Sequence, residues 1–128
     1  MNLLDENIPE PEAQKLRRFK IRIRQIGKDI AVLGDDDLQK IIPLLHQRGN
    51  ITFFTADRDF YKAELRHQRY CLVYLDVAQS EEATYIRRFL RHKQFRQLRQ
   101  RLGKVVRLSP DGIHFWTLGS DQRNFETW

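Results

Sequence analysis

The stretch FFTADRDFY, residues 53–61, sets a hydrophobic run against two carboxylates one residue apart, Asp57 and Asp59. Two further acidic groups stand in comparable settings. Asp5 with Glu6 follows the apolar run NLL, and Asp35, Asp36 and Asp37 open the patterned segment DDDLQKIIPLLHQRG. Each has an ordinary use: Asp36 or Asp37 can cap a helix, Asp57 and Asp59 can serve a turn or cap a helix beginning near Phe60, and Asp5 with Asn7 can turn the chain towards Pro9. What sets them apart is a shared position beside apolar runs of strand length. In a parallel sheet, the loops leaving the carboxyl ends of the strands converge. Carboxylates gathered there raise one another's pKa values, a cost that a divalent cation removes. Oxygen donors without Cys or His suit a hard ion, Mg²⁺ or Mn²⁺, better than zinc.

The rest of the charge has the opposite sign. The 128 residues carry a formal charge of +6. Between Glu82 and Asp111 lie nine Lys or Arg and no acid. Such a block is the footprint of a polyanion binder and equally of a solvated helix face. Candidate contacts for a phosphate backbone are Arg17, Arg18, Arg22, Arg24, Arg58, Arg66 and Arg69, with Arg87, Arg88 and Arg91 from the basic block. Arg58 lies between the two motif aspartates, and alternation along an extended chain points it away from them.

The elements that must position these residues are legible as runs. NLL, FKIRIRQI, ITFFT, CLVYLDV, KVVRLS and IHFWTL have strand length. FKIRIRQI alternates apolar and basic residues, as a half-exposed strand near a sheet edge does. Residues 9–18 begin with Pro9, Glu10, Pro11 and Glu12 and read as a short helix. Asp36 with Gln39 resembles a capping box ahead of Leu38, Ile41, Ile42 and Leu45; Pro43 predicts a kink and Gly49 follows the helix end. Residues 80–91 and 95–102 supply two more helical patterns separated near His92 and Lys93. Strands alternating with helices predict an α/β domain, a mainly parallel sheet with helices on both faces. SPDG predicts a C-terminal antiparallel hairpin over residues 104–118.

The remaining residues bound the function. No apolar run reaches the roughly 20 residues a membrane helix needs, and the start, MNLLDENIPEPEAQ, lacks the basic and apolar regions of a secretory signal. The expectation is a cytoplasmic protein without membrane contact. Cys71, inside YCLVYLDV, reads as a buried hydrophobe. His46, His67, His92 and His114 show no ligand spacing. Most aromatics read as core, with Tyr61 and Trp116 the two to examine for exposure. Residues 119–128, GSDQRNFETW, carry no assignable pattern and read as a candidate flexible tail; Phe125 and Trp128 there suit packing back onto the domain, or a contact for a partner or second copy.

LLDENIP, the acidic opening before IIPLL, and FFTADRDFY followed by YCLVYLDV together resemble the small PIN-like proteins predicted as nuclease toxins of toxin–antitoxin pairs. The resemblance covers most of the chain and is weakest after Leu118. It implies a single three-layer PIN-like domain over residues 1–128, hydrolysing RNA phosphodiesters with Mg²⁺ or Mn²⁺, with a small antitoxin as partner and homodimers as the family habit. Asp5, Asp57 and Asp59 match the family's motif. The middle acid falls on Asp37, with Asp36 as the cap and as its alternative. Asp5, Asp37 and Asp57 are then metal ligands, and Asp59 binds through water or orients the attacking water. Glu6 is an alternative to Asp5, and Asp76 is the one candidate by position for the later acid that many PIN nucleases use. Thr55 is placed to hold a carboxylate by its hydroxyl. Two other readings use the same residues: a PIN-like module that binds RNA or protein without cutting, and a nuclease directed at DNA or at structured substrates.

Overall fold

The computed structural model describes residues 1–30 and 38–128. The acids Asp35, Asp36 and Asp37 lie outside the described residues. In chain order come β1 (Asn2–Leu4), α1 (Glu10–Arg18), β2 (Arg24–Gln25), α2 (Leu38–Arg48), β3 (Ile51–Thr55), β4 (Tyr70–Leu75), α3 (Glu82–Arg91), α4 (Leu98–Arg101), β5 (Lys104–Ser109), β6 (Gly112–Thr117) and β7 (Arg123–Glu126). Short 3₁₀ turns cover Arg58–Phe60, Ala63–Leu65 and Gln79–Glu81.

The described strands form one sheet in the order β2-β1-β3-β4-β5-β6-β7. The five strands β2 to β5 run parallel, and β6 and β7 are antiparallel additions, as the SPDG turn predicts for the first of them. The central strands β3 and β4 are buried on both faces, which is why ITFFT and YCLVYL read as continuous rather than alternating runs. Helices α1 and α3 cover one face: Ala13, Leu16, Ile86 and Phe89 pack with Leu4, Phe54, Val73 and Val106. Helix α2 covers the other, where Ile41 and Leu45 meet Leu3, Phe53, Leu72 and Val105. The architecture is therefore α/β, mainly parallel, with helices on both faces and a C-terminal hairpin. Cys71 is fully buried, and burial pushes its thiol up to about 12. Among the described residues no helix is long and apolar enough to cross a membrane.

Helix α1 starts after Pro9 with acids in its first turn and bases in its last, matching the helix dipole. Helix α2 runs through Pro43 and ends at Gly49, whose φ of +70° only glycine adopts cheaply; a Cβ there would also sit 2.5 Å from the Arg69 guanidinium.

Three elements depart from expectation. FKIRIRQI yields only the two-residue edge strand β2, because Phe19, Lys20 and Ile21 are spent closing α1 through bonds to Lys15, Arg17 and Leu16 carbonyls. Its neighbour β1 then offers partners only at Leu3 and Leu4. The helical pattern at 95–102 forms only the single turn α4, with Phe95 turned into the core against Phe89 at 4.9 Å. The segment 119–128, a candidate tail whose Phe125 and Trp128 also suited packing back onto the domain, contributes β7, paired with β6 from Ile113↔Glu126 to Trp116↔Arg123. Trp128 closes it, its indole donating to the Ser109 carbonyl at 2.7 Å and packing between Tyr85 and Arg88.

Where α1 meets α3, two glutamates are buried together. Glu12 accepts from the Ala83 amide at 3.0 Å and pairs with Lys15 at 2.7 Å. Glu82 has a buried oxygen with no hydrogen-bond partner; burial, then the neighbouring Glu12 charge, pushes its carboxyl up to about 7. Between the ordinary 4.5 and this value the folded chain keeps a proton that the unfolded chain has lost, so stability falls as pH rises through that window. The loss is at most about 3 kcal/mol. Glu82→Gln should match the wild type near pH 4 and exceed it above pH 7, measured by urea denaturation across pH; parallel curves for the two proteins would contradict this.

Candidate functional site

The carboxyl ends of β1, β3 and β4 lie side by side, and each is followed by an acid: Asp5 directly after β1, Asp57 two residues beyond β3, and Asp76 directly after β4. Asp5 is 2% exposed. Its amide extends the ladder to the Phe54 carbonyl at 2.9 Å, and its Oδ2 accepts from the Thr55 hydroxyl at 2.5 Å. The same Thr55 oxygen accepts from the Asp57 amide at 3.0 Å. One buried hydroxyl thus holds the Asp5 carboxylate, the use offered for Thr55, and ties it to the main chain at Asp57.

The β1 side is held by a second polar side chain. Gln25, fully buried in β2, donates to the carbonyls of Asp5 at 3.0 Å and Ile8 at 2.8 Å, which fixes the turn leaving β1. On the β3 side, Asp57 begins the 3₁₀ turn Arg58–Phe60 and its Oδ1 accepts from the Asp59 amide at 2.9 Å, so the capping use of Asp57 is present as well. Phe60 anchors that turn in the core, 5.2 Å from Phe53. Asp57 and Asp59 are exposed. The alternative acids are placed differently. Glu6 lies against Gly27, beyond β2, and Asp76 is engaged by Arg107 at 2.9 Å. Among the described residues no three His, Cys, Asp or Glu side chains form a group able to hold a metal ion. Asp5 and Asp57 are hard oxygen donors, right in kind for Mg²⁺ or Mn²⁺; Asp36 and Asp37, the two candidates for a third ligand, lie outside the described residues.

The basic candidates separate into groups. Arg17, Arg22 and Arg24 line a broad groove of about 770 Å³ at the start of β1, the end away from Asp5. Arg87, Arg88 and Arg91 line another of about 480 Å³ with Phe19 and Trp128. Arg66 is spent on the Thr117 and Ser120 carbonyls and Asp121, and Arg69 on the His46 and Gln47 carbonyls that end α2. Arg58 lines a smaller cavity of about 290 Å³ with Tyr61, Tyr74, Asp76, Arg107 and Arg123.

Tyr61 is half-buried, its ring 4.7 Å from Trp116 and 5.9 Å from Tyr74. Burial raises its hydroxyl's pKa, and Arg123 and Arg107 beside it pull the other way. Tyr74 is likewise raised by burial and then by Asp76, opposed by Arg58 and Arg107, with Asp57 adding a further rise. The Asp57 carboxylate is therefore within electrostatic reach of this cavity. His114, cross-strand from Arg107, is held below its ordinary pKa by burial and by Arg107 and Arg123. Sequence reasoning missed Gln25, Tyr74 and Arg123 as site residues. Arg107 left a signal, a charge inside the apolar run KVVRLS; Arg123, in a segment without periodicity, left none.

Comparison with protein-family models, with curated protein sequences and with solved structures returns no match.

Thr55→Val keeps the side-chain shape and removes the shared hydroxyl, leaving Asp5 and the Asp57 amide each short of a bond. The expected cost is about 1–3 kcal/mol, read as a lower urea midpoint at unchanged slope. Thr55→Ser should retain most of the stability; a valine variant as stable as wild type would contradict the link.

Proposed function

We propose that this chain is a metal-dependent endoribonuclease and the toxin of a toxin–antitoxin pair. The observation that carries the reading is the Thr55 hydroxyl, which donates to the Asp5 carboxylate and accepts from the Asp57 main-chain amide, so that the chain bearing a second acid is fixed beside the first at neighbouring strand ends, where a parallel sheet places its ligands. Asp5 and Asp57 are the described ligands for Mg²⁺ or Mn²⁺, and Asp37 is the third. When bound, the ion lowers the pKa of a water near the phosphate and offsets charge on the phosphoryl oxygens.

The chain's own residues do the rest. Thr55 sets the Asp5 carboxylate, and Gln25 keeps the loop that carries it in place. Asp59, exposed in the first turn after Asp57, faces the solvent from which a water would be taken and oriented. Arginines around the acids attract the RNA backbone that an acidic centre alone would repel. A small antitoxin would silence the enzyme by covering the acids or by placing a basic side chain against them.

The Asp76–Arg107 pair favours a second reading, since it occupies the later acid: a PIN-like module that binds RNA or protein without cutting. Incubating single-stranded RNA, structured RNA and duplex DNA with the protein, in Mn²⁺ or in EDTA, separates the readings. The nuclease reading predicts Mn²⁺-dependent RNA cleavage, reduced about 100-fold or more in Asp5→Asn and Asp57→Asn. Asparagine caps as well as aspartate, so Asp57→Asn should stay folded. Full activity in that variant would overturn the site; salt-sensitive RNA binding indifferent to EDTA, with no product, would establish the binding module. Preferential cutting of duplex DNA would redirect the same site to DNA.

A further inference from the structure

The cavity beside Asp57 has a composition that the acids do not explain. Arg58, Arg107 and Arg123 converge on about 290 Å³ together with Tyr61, Tyr74 and a single carboxylate, Asp76. Asp76 neutralises Arg107 through bonds of 2.9 Å to its Nε and Nη2. Among the described residues neither Arg58 nor Arg123 makes an ion pair. The lining itself therefore carries two guanidinium groups without a carboxylate partner, and Asp57 is a further carboxylate within electrostatic reach. Its aromatic wall is rigid, since Tyr61 is wedged between Trp116 and Tyr74. The Tyr61 hydroxyl is buried next to Arg123, so a donor is held at the wall.

Guanidinium forks and a phenol are the donors that recognise phosphate oxygens. Two unpaired guanidinium forks and a phenol are filled more fully by the three terminal oxygens of a phosphomonoester than by the two free oxygens of an internal diester. The volume is at the small end of ligand pockets, suited to a phosphoryl group and the sugar attached to it. We propose that this cavity binds the terminal phosphomonoester of a nucleic-acid strand, without metal, and so seats the strand end beside Asp57. That the phosphomonoester belongs to a nucleic acid rests on the nuclease reading; its recognition by the arginines does not.

The probe is a fluorescent ten-nucleotide oligouridylate in three forms, with a 5′ phosphate, a 3′ phosphate or hydroxyls at both ends, titrated by anisotropy in EDTA. One phosphorylated form should bind at least about tenfold tighter than the hydroxyl form, and inorganic phosphate should compete. The form preferred identifies which end is held. Arg58→Gln/Arg123→Gln should abolish the preference while retaining a cooperative melt; Arg58→Gln alone, at an exposed side chain, should weaken it if the double variant does not fold. Asp5→Asn/Asp57→Asn should keep the preference even where cleavage is lost, which separates failure of the nuclease reading from failure of this one. Equal affinity for all three forms, or a preference surviving in the arginine variants, would overturn the proposal.

Discussion

A carboxylate that is 2% exposed at the end of a three-residue strand needs a donor, and the rest of this site follows from where that donor comes from. Thr55 supplies it across the β1–β3 boundary, and its oxygen then accepts from the backbone of Asp57. The start of the loop after β3 is thereby fixed to the end of β1. Phe60 locks the other end of that loop in the core, so the turn carrying Asp57 and Asp59 is pinned by one polar and one apolar anchor. Gln25 repeats the device on the other side, joining the edge strand to the turn after Asp5. Two apolar layers hold the sheet, while its functional edge is held by a few buried polar bonds.

The same economy governs the positive charge. Arg101 is buried and holds Thr52 at 2.9 Å and the Phe95 carbonyl at 2.8 Å; Arg66 and Arg69 close turns through main-chain carbonyls. A net charge of +6 therefore overstates the surface left for a polyanion. Among the described residues basic side chains still line three separate grooves, and the one next to Asp57 is the smallest of the three.

How much of this was legible depended on burial and on pairing. ITFFT and YCLVYL are buried on both faces, so their runs announced strands, and the acids following them announced a strand edge. Thr55 was legible only in part: its hydroxyl stood near the acids, but a strand threonine is more often only a strand former, and it is the structure that shows the bond to Asp5. FKIRIRQI misled because alternation describes exposure and not pairing: Ile21 and Ile23 do pack on the core, yet most of the segment has no strand beside it. Strand β7 was invisible for the converse reason. Its backbone is paired, but its side chains alternate only between exposed and half-buried, and RNFE holds one apolar residue. Arg123 reaches the cavity by that pairing, which composition and periodicity do not encode.

The measurement closest to the central claim is a crystal grown with Mn²⁺ and recorded at a wavelength where manganese scatters anomalously. A shared cation site at the ends of β1 and β3 predicts an anomalous peak within coordination distance of carboxylate oxygens from both Asp5 and Asp57, with the Thr55 hydrogen bond retained. Manganese bound elsewhere, or no peak while the Asp57 carboxylate stays turned onto the Asp59 amide, would contradict it.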